Sequence, residues 1–173
     1  MADERHRLGL DKRDEMWDGV VHIVPLATDE HQALNGECCI VAAPPAKRRG
    51  LVPRMHTGLF RADDDYRVPD QLYRLPEHGS ERGAEGAELV VEVRSPNDDT
   101  YQKFDFFVTV GFREVLVLHP KGRRFELFRR FEDRLVLMSP DASGTVESEV
   151  LGIRLATVDD KLRITWPEGS ADI

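Results

Sequence analysis

The sequence has little cysteine and no long apolar segment. Its two cysteines, Cys38 and Cys39, are adjacent, and neighbours in a chain rarely form an unstrained disulfide. A disulfide framework and a CxxC metal site are therefore excluded. No apolar run approaches the roughly 20 residues that a membrane span needs, and the charged N-terminus lacks the apolar core of a signal peptide. We therefore expect a cytoplasmic protein that does not enter a membrane.

Positive charge is also in deficit. The chain carries 32 acidic and 24 basic residues, which gives a formal net charge of −8. A protein that binds DNA by charge alone is expected to be basic overall, so any contact with DNA depends on a local patch. Residues 44–61 hold five bases and no acid, and their run Lys47, Arg48 and Arg49 is a candidate DNA contact. A plain solvated basic loop is the alternative.

The chain of 173 residues is long enough to form one domain, which we expect to span residues 1–173. Hydrophobic residues make up 40% and charged residues 32%, as in ordinary folded proteins. Residues 1–15 are expected to be a flexible or peripheral segment. The strongest strand patterns are residues 88–94 and 114–119. Weaker patterns predict strands at residues 19–25, 58–62, 68–73, 125–131, 134–138, 145–150 and 162–166.

Two helices are predicted among these strands. The first begins after Thr28, whose side chain can cap it, and ends near residue 43 because Pro44 and Pro45 follow. The second spans about residues 100–110, after a run of capping residues that starts at Asn97, and ends at Gly111. It connects two strands that look buried, so the chain is a strand-rich α/β (α+β) domain with few helices.

Glu92 is the most informative polar residue because it lies within the strand predicted for residues 88–94. Alternation places it on one face with Val90 and places Leu89 and Val91 on the other. An unpaired carboxylate in a buried strand is costly. A cation, a hydrogen-bonded partner or a metal should therefore compensate it, and an ion pair with an arginine is the plainest of these explanations.

Two further residues suggest metal chemistry. Asp70 follows Pro69 at the start of a predicted strand and can present a second carboxylate at the same end of the sheet. Lys103 lies in the first turn of the second helix, from where it can point back over the strand that holds Glu92. Two carboxylates can hold Mg²⁺, and a lysine can orient a water or stabilise developing charge. These residue types suit metal-assisted phosphodiester cleavage, although each is common.

The order of these motifs resembles the Uma-two family, a bacterial group classed with restriction endonucleases. The motifs that carry the resemblance are WDGVVHIVP, DEH, YRVPDQ, ELVVEVRSPND, the lysine of TYQKFDFF, and VGFREVLVLHP. They run from about Trp17 to Leu155. The resemblance implies the PD-(D/E)XK nuclease fold, in which helices flank a mixed central β-sheet.

Carried onto this chain residue by residue, the resemblance implies a Mg²⁺ or Mn²⁺ site. Asp70 and Glu92 would bind the metal with the backbone carbonyl of Val93, and these two carboxylates with Lys103 would form the catalytic set. Arg94 stands where the motif usually has its lysine, and Lys103 would replace that lysine from the following helix.

An acid of the first helix completes some sites of this kind, and Glu30, next to His31, is the nearest match. A first-turn acid also has a plain explanation, since it favours the helix dipole. No shared ligand spacing gives a site role to the remaining histidines, His22, His56, His78 and His119.

The resemblance also implies DNA as the substrate and a homodimer as the assembly. Two other functions stay open at this point. One is a non-catalytic binding or assembly module that keeps the fold and an ion-paired site. The other is a metal-dependent hydrolase of a small phosphoester, which an acidic surface would suit better than it suits DNA.

Overall fold

The structure, a computed structural model, describes residues 2–9, 11–96 and 98–173, so the proposed capping residue Asn97 lies outside the described residues. The α-helices are α1 (Ala2–Arg7), α2 (Asp29–Arg48) and α3 (Phe104–Thr109). The strands are β1 (Glu15–Trp17), β2 (Val20–His22), β3 (Val52–Met55), β4 (Leu59–Ala62), β5 (Asp65–Arg67), β6 (Gln71–Arg74), β7 (Gly79–Ser80), β8 (Gly83–Ala84), β9 (Leu89–Val93), β10 (Glu114–His119), β11 (Arg124–Phe131), β12 (Arg134–Leu137), β13 (Val146–Ser148), β14 (Ile153–Val158), β15 (Lys161–Trp166) and β16 (Gly169–Asp172).

The central sheet has the strand order β12-β11-β10-β9-β6-β3. Strands β9 and β10 are parallel, whereas the other neighbours in this sheet pair antiparallel. The segment between β9 and β10 contains α3, as a parallel connection requires a crossover. The predicted mixed central sheet with flanking helices is therefore confirmed. A second sheet has the order β2-β1-β5-β4-β8-β7, and a third has the order β13-β14-β15-β16.

Two hydrophobic cores lie on the two faces of the central sheet. The first contains Leu89, Val91 and Val93 of β9, together with buried residues of α2 and of β13, β14 and β15. The second contains Val90 of β9, together with buried residues of α3, β4 and β8. Since side chains alternate along a strand, Glu92 shares the face of Val90, as the sequence predicts.

Helix α2 begins as predicted but ends later. Thr28 precedes it, and the Thr28 hydroxyl accepts a hydrogen bond from the amide of His31 at 3.3 Å. The predicted end near residue 43 is wrong, because the helix continues through both prolines to Arg48. Pro45 and Ala46 are buried, so packing offsets the backbone donors that the prolines lack. Lys47 and Arg48 therefore lie in the last turn of a helix and not in a loop.

The other helix and most strands follow the sequence closely. The second predicted helix is a 3₁₀ turn, Thr100–Lys103, followed by α3, and Gly111 after it has a φ of +87°. Strand β10 has the predicted bounds, residues 114–119. Strands β11 and β12 pair antiparallel and form the hairpin predicted at residues 125–131 and 134–138. The strands that were not predicted are β1, β3, β5, β7, β8, β14 and β16. Among the described residues, none forms a helix that is both long and apolar enough to span a bilayer.

Candidate active site

A cavity of about 420 Å³ opens where β9 ends. Its walls include parts of β1, the start of α2, the turn before β6, the end of β9, and the segment that leads into α3. These parts carry Glu15, His31, Asp70, Glu92 and Lys103, which all line the cavity. The structure therefore brings together the three residues that the sequence singles out, and adds two others.

Lys103 is the cation that compensates Glu92. Its ammonium donates to Glu92 Oε1 at 3.2 Å and to Glu15 Oε1 at 2.9 Å. The side chains of Lys103, Glu92 and Glu15 are only 13%, 6% and 2% exposed. Glu15 is further fixed by the backbone amide of Val68 and by the indole of Trp17. The prediction that residues 1–15 are peripheral therefore needs correction at the end of the segment, because Arg13 and Glu15 line the cavity and Asp14 is buried.

Asp70 is held by hydrogen bonds from two directions. The backbone amide of Val93 donates to Asp70 Oδ2 at 2.8 Å, and His31 Nε2 lies 3.0 Å from Asp70 Oδ1. A carboxylate only accepts, so Nε2 carries the proton of this contact. The other ring nitrogen of His31 lies 3.2 Å from the hydroxyl of Ser95, and His56 Nε2 lies 3.6 Å from Asp70 Oδ1. Helix α2, β6 and β9 are thus linked through one carboxylate.

The two carboxylates have opposite pKa shifts. Burial, partly offset by the Lys103 ammonium, raises the pKa of Glu92 to about 8, and the charges of Asp70 and Glu15 add to the increase. Burial also acts to raise the pKa of Asp70, but hydrogen bonds from His31, His56 and Val93 outweigh it and hold that pKa well below its usual value. Neighbouring acids with separated pKa values have distinct roles. Asp70 therefore loses its proton far more readily than Glu92 does.

Few of these groups are needed to hold a hard cation. Across residues 2–9, 11–96 and 98–173, no set of three or more His, Cys, Asp or Glu side chains forms a ready metal cluster. Mg²⁺ usually takes one or two carboxylates and keeps several waters. Asp70 and Glu92 supply two carboxylates here. Val93, whose backbone carbonyl is the third ligand expected from the family pattern, also lines the cavity.

Two residues that the family pattern brought into consideration lie away from this cluster. Glu30 is exposed in the first turn of α2 and is not among the described residues that line the cavity. Arg94 pairs with Asp98 at 3.0 Å and lies 4.7 Å from the centre of the Tyr101 ring. Glu30 as a metal ligand stays a prediction, and the geometry leaves Lys103 as the ammonium beside Glu92.

The basic run Lys47, Arg48 and Arg49 lies at the opposite end of α2 from His31. Residue 47 follows residue 31 by 16 positions, which corresponds to about 24 Å along the helix at about 1.5 Å per residue. Arg48 pairs with Glu168 at 3.0 Å, and Arg49 donates to the carbonyls of residues 149 and 150. A role for these bases in DNA contact stays a prediction, and it concerns a surface distant from the carboxylates.

Sequence reasoning missed Glu15, His31 and His56 as parts of the site. For His31 a signal exists, because Leu34, Asn35 and Cys38 follow at helical spacing and share its buried face. Glu15 stands in a charged segment with no periodic pattern, and its partner Lys103 is 88 positions away. His56 follows the basic run and gives no comparable signal.

Comparison with known proteins identifies the family and the fold. Residues 3–158 match the Uma2 (Uma-two) family, described as "Putative restriction endonuclease". Among solved structures, the chain is similar to a protein described as a putative nuclease belonging to DUF820 from Anabaena variabilis ATCC 29413, with a TM-score of 0.64 and 17% identity over 80% of this chain and 82% of that one. No curated protein matches the chain. The family match covers most of the sequence, and the chain therefore belongs to the Uma2 family.

Proposed function

We propose that the protein is a divalent-metal-dependent endonuclease that hydrolyses phosphodiester bonds of DNA, with Mg²⁺ or Mn²⁺ as its cofactor. The observation that carries the proposal is the convergence of Asp70, Glu92 and Lys103 on one cavity at the end of β9. Two carboxylates and an ammonium, buried together, form an expensive arrangement for a purely structural role. Membership of a family described as restriction endonucleases supports the same chemistry.

Each side chain has a defined part in this proposal. A bound metal would neutralise charge on the phosphate and lower the pKa of a bound water. Asp70, kept charged by His31 and the Val93 amide, would hold the metal together with the Val93 carbonyl. Glu92 would join as a ligand after losing its proton. Lys103, restrained between Glu92 and Glu15, would orient the water or stabilise the negative charge that develops on the phosphate.

The test is Mn²⁺- or Mg²⁺-dependent cleavage of single-stranded, duplex and plasmid DNA by the wild type and by variants. We expect Asp70→Asn and Glu92→Gln to abolish cleavage. Lys103→Ala should reduce the rate by about 10²–10⁴-fold, the range for a positioned catalytic group. Lys103→Arg should rescue poorly because a planar guanidinium cannot replace a compact ammonium. The exposed Lys121 provides the matched control, Lys121→Ala, which should cleave as the wild type does.

The outcomes separate the candidate functions. If no form of DNA is cleaved with either metal, the nuclease proposal fails in favour of a non-catalytic module. If only a small phosphomonoester or diester is hydrolysed, the chemistry stands but DNA is the wrong substrate. Full cleavage by Lys103→Ala would remove Lys103 from the catalytic set.

A further inference from the structure

One wall of the cavity is aromatic and apolar. It is formed by Trp17 of β1, by His22 of β2 and by the segment that follows, which includes Ile23 and Leu26. The side chains of Ile23 and Leu26 remain 51% and 88% exposed. This wall lies in the same cavity as the carboxylates and Lys103, and none of the roles proposed above uses it.

Trp17 and His22 are the outer part of a stack of four groups. The guanidinium carbon of Arg67 lies 4.2 Å from the centre of the Phe106 ring and 4.4 Å from the centre of the Trp17 ring. The ring centres of Trp17 and His22 are 4.0 Å apart, with their planes 14° from parallel. Two groups this close to one ring centre cannot share a face. Arg67 and His22 therefore cover opposite faces of Trp17, and His22 ends the stack at the cavity.

The stack is rigidly anchored. Phe106 and Arg67 are each only 4% exposed, and Arg67 donates to the carbonyl of Met16 at 2.8 Å. The Trp17 indole donates to Glu15 Oε2 at 2.8 Å, while the other oxygen of Glu15 holds Lys103. The position of the aromatic groups is thus fixed relative to the ammonium of the site, as a preformed platform requires.

We propose that His22 and the apolar side chains beside it receive an unpaired nucleobase, so that the substrate is a single-stranded or locally unpaired stretch of DNA. This inference rests on the proposed function and specifies its substrate. Bases stack on aromatic side chains with little regard to sequence. A base that is paired in a duplex has both faces stacked on its neighbours and cannot also lie on His22, whereas an unpaired base has a face free to stack there.

Charge favours the same substrate. The protein has a formal net charge of −8, and duplex DNA carries about one negative charge per 1.7 Å of its axis. A single strand carries about half that density at the same rise per nucleotide, so its repulsion by an acidic protein is weaker. Stacking and apolar contact supply binding free energy that does not depend on opposite charge.

The direct test measures binding without metal, in EDTA, through the fluorescence of Trp17. The sequence has two tryptophans, so Trp166→Phe leaves Trp17 as the reporter. The probes are a short thymidine oligonucleotide and the same sugar-phosphate backbone without bases. We expect the thymidine oligonucleotide to change the fluorescence of Trp17 in a saturable way. It should bind at least about fivefold more tightly than the abasic strand, because stacking of one base contributes about 1–3 kcal/mol.

Variants of His22 then test the platform itself. His22→Ala should weaken thymidine binding by about 5- to 20-fold, the lower part of that range, and should leave abasic binding unchanged. His22→Phe should retain the affinity because it keeps a stacking face. The control is His78→Ala in the 3₁₀ helix Pro76–His78, away from the cavity lining. Equal binding of the two strands, or wild-type affinity in His22→Ala with an intact fold by circular dichroism, would overturn the inference.

Cleavage separates this inference from the proposed function. If the wild type cuts continuous duplex as fast as single strands, and His22→Ala cuts both normally, the nuclease stands and the base platform fails. If no DNA is cleaved but thymidine binding still depends on His22, the nuclease fails and the platform stands as a binding site for unpaired strands.

Discussion

Replacing Lys103 by methionine isolates the electrostatic role of its ammonium, because methionine keeps much of the apolar stem. In the wild type, Lys103 lies 2.9 Å from Glu15 and 3.2 Å from Glu92. Removing one partner of a buried ion pair costs about 3–5 kcal/mol. For a domain of this size each kcal/mol lowers the melting temperature by about 2–4 °C. Lys103→Met should therefore melt roughly 6–20 °C below the wild type at pH 8.5 in EDTA.

The size of this loss should depend on pH in a defined direction. The pKa of Glu92 rises on folding from 4.5 to about 8, so the folded state favours the neutral carboxyl. At pH 5.5 Glu92 holds its proton and needs Lys103 less, whereas at pH 8.5 its charge must be compensated. The loss in Lys103→Met should thus be clearly smaller at pH 5.5 than at pH 8.5.

Thermal unfolding followed by circular dichroism provides the assay, with Lys121→Met as the control because Lys121 is exposed. The control should melt within about 2 °C of the wild type, since surface substitutions usually change stability by at most about 0.5 kcal/mol. A similarly small effect of Lys103→Met at pH 8.5 would refute the reasoning that Lys103 compensates buried charge. An equal loss at both pH values would refute the part assigned to Glu92 and leave Glu15 as the acid that Lys103 compensates.

Three further predictions concern the same charges. Without metal, Glu92→Gln should melt above the wild type at pH 8.5 but not at pH 5.5, because it removes a buried charge whose folded pKa is raised; equal melting at pH 8.5 would contradict this. In calorimetry, Mn²⁺ affinity should increase between pH 6 and 8, because the metal displaces the proton of Glu92; constant affinity would contradict that. Neutralising Lys47, Arg48 and Arg49 should weaken binding only of DNA long enough to bridge the roughly 24 Å from the site; gel shifts with short and long strands decide this, and equal effects on both would exclude the reasoning.

Local pattern accounts for most of the fold. The alternation of residues 88–94 predicts which side chains of β9 enter each core, and the continuous apolar run of residues 114–119 predicts the observed bounds of β10. The end of α2 was not predictable from Pro44 and Pro45 alone, because the burial of Pro45 and Ala46 is a tertiary effect. Strand β14 was missed although Ile153 and Leu155 alternate with exposed residues, so a usable signal was present there.

Only the site residues that strand geometry or the family pattern indicates could be predicted from the sequence. Asp70, Glu92 and Lys103 lie where those arguments place them, and the structure brings them to one cavity. Glu15 could not be inferred, since it meets Lys103 only after the second sheet packs beside the central one. Buried ion pairs of this kind join residues with no relation in sequence, so composition and periodicity cannot find them.

The sheet formed by β13, β14, β15 and β16 affects which parts of the protein unfold together in local opening events. Leu162 and Ile164 are fully buried in the first core with Leu34 and Cys38 of α2, although they follow residue 158, where the family match ends. Segments that share a packed core tend to exchange their amide hydrogens together, as one cooperative unit. We therefore expect α2, β14 and β15 to become exposed in the same opening event. A perturbation of this sheet would then also loosen helix α2, which carries His31 into the candidate active site.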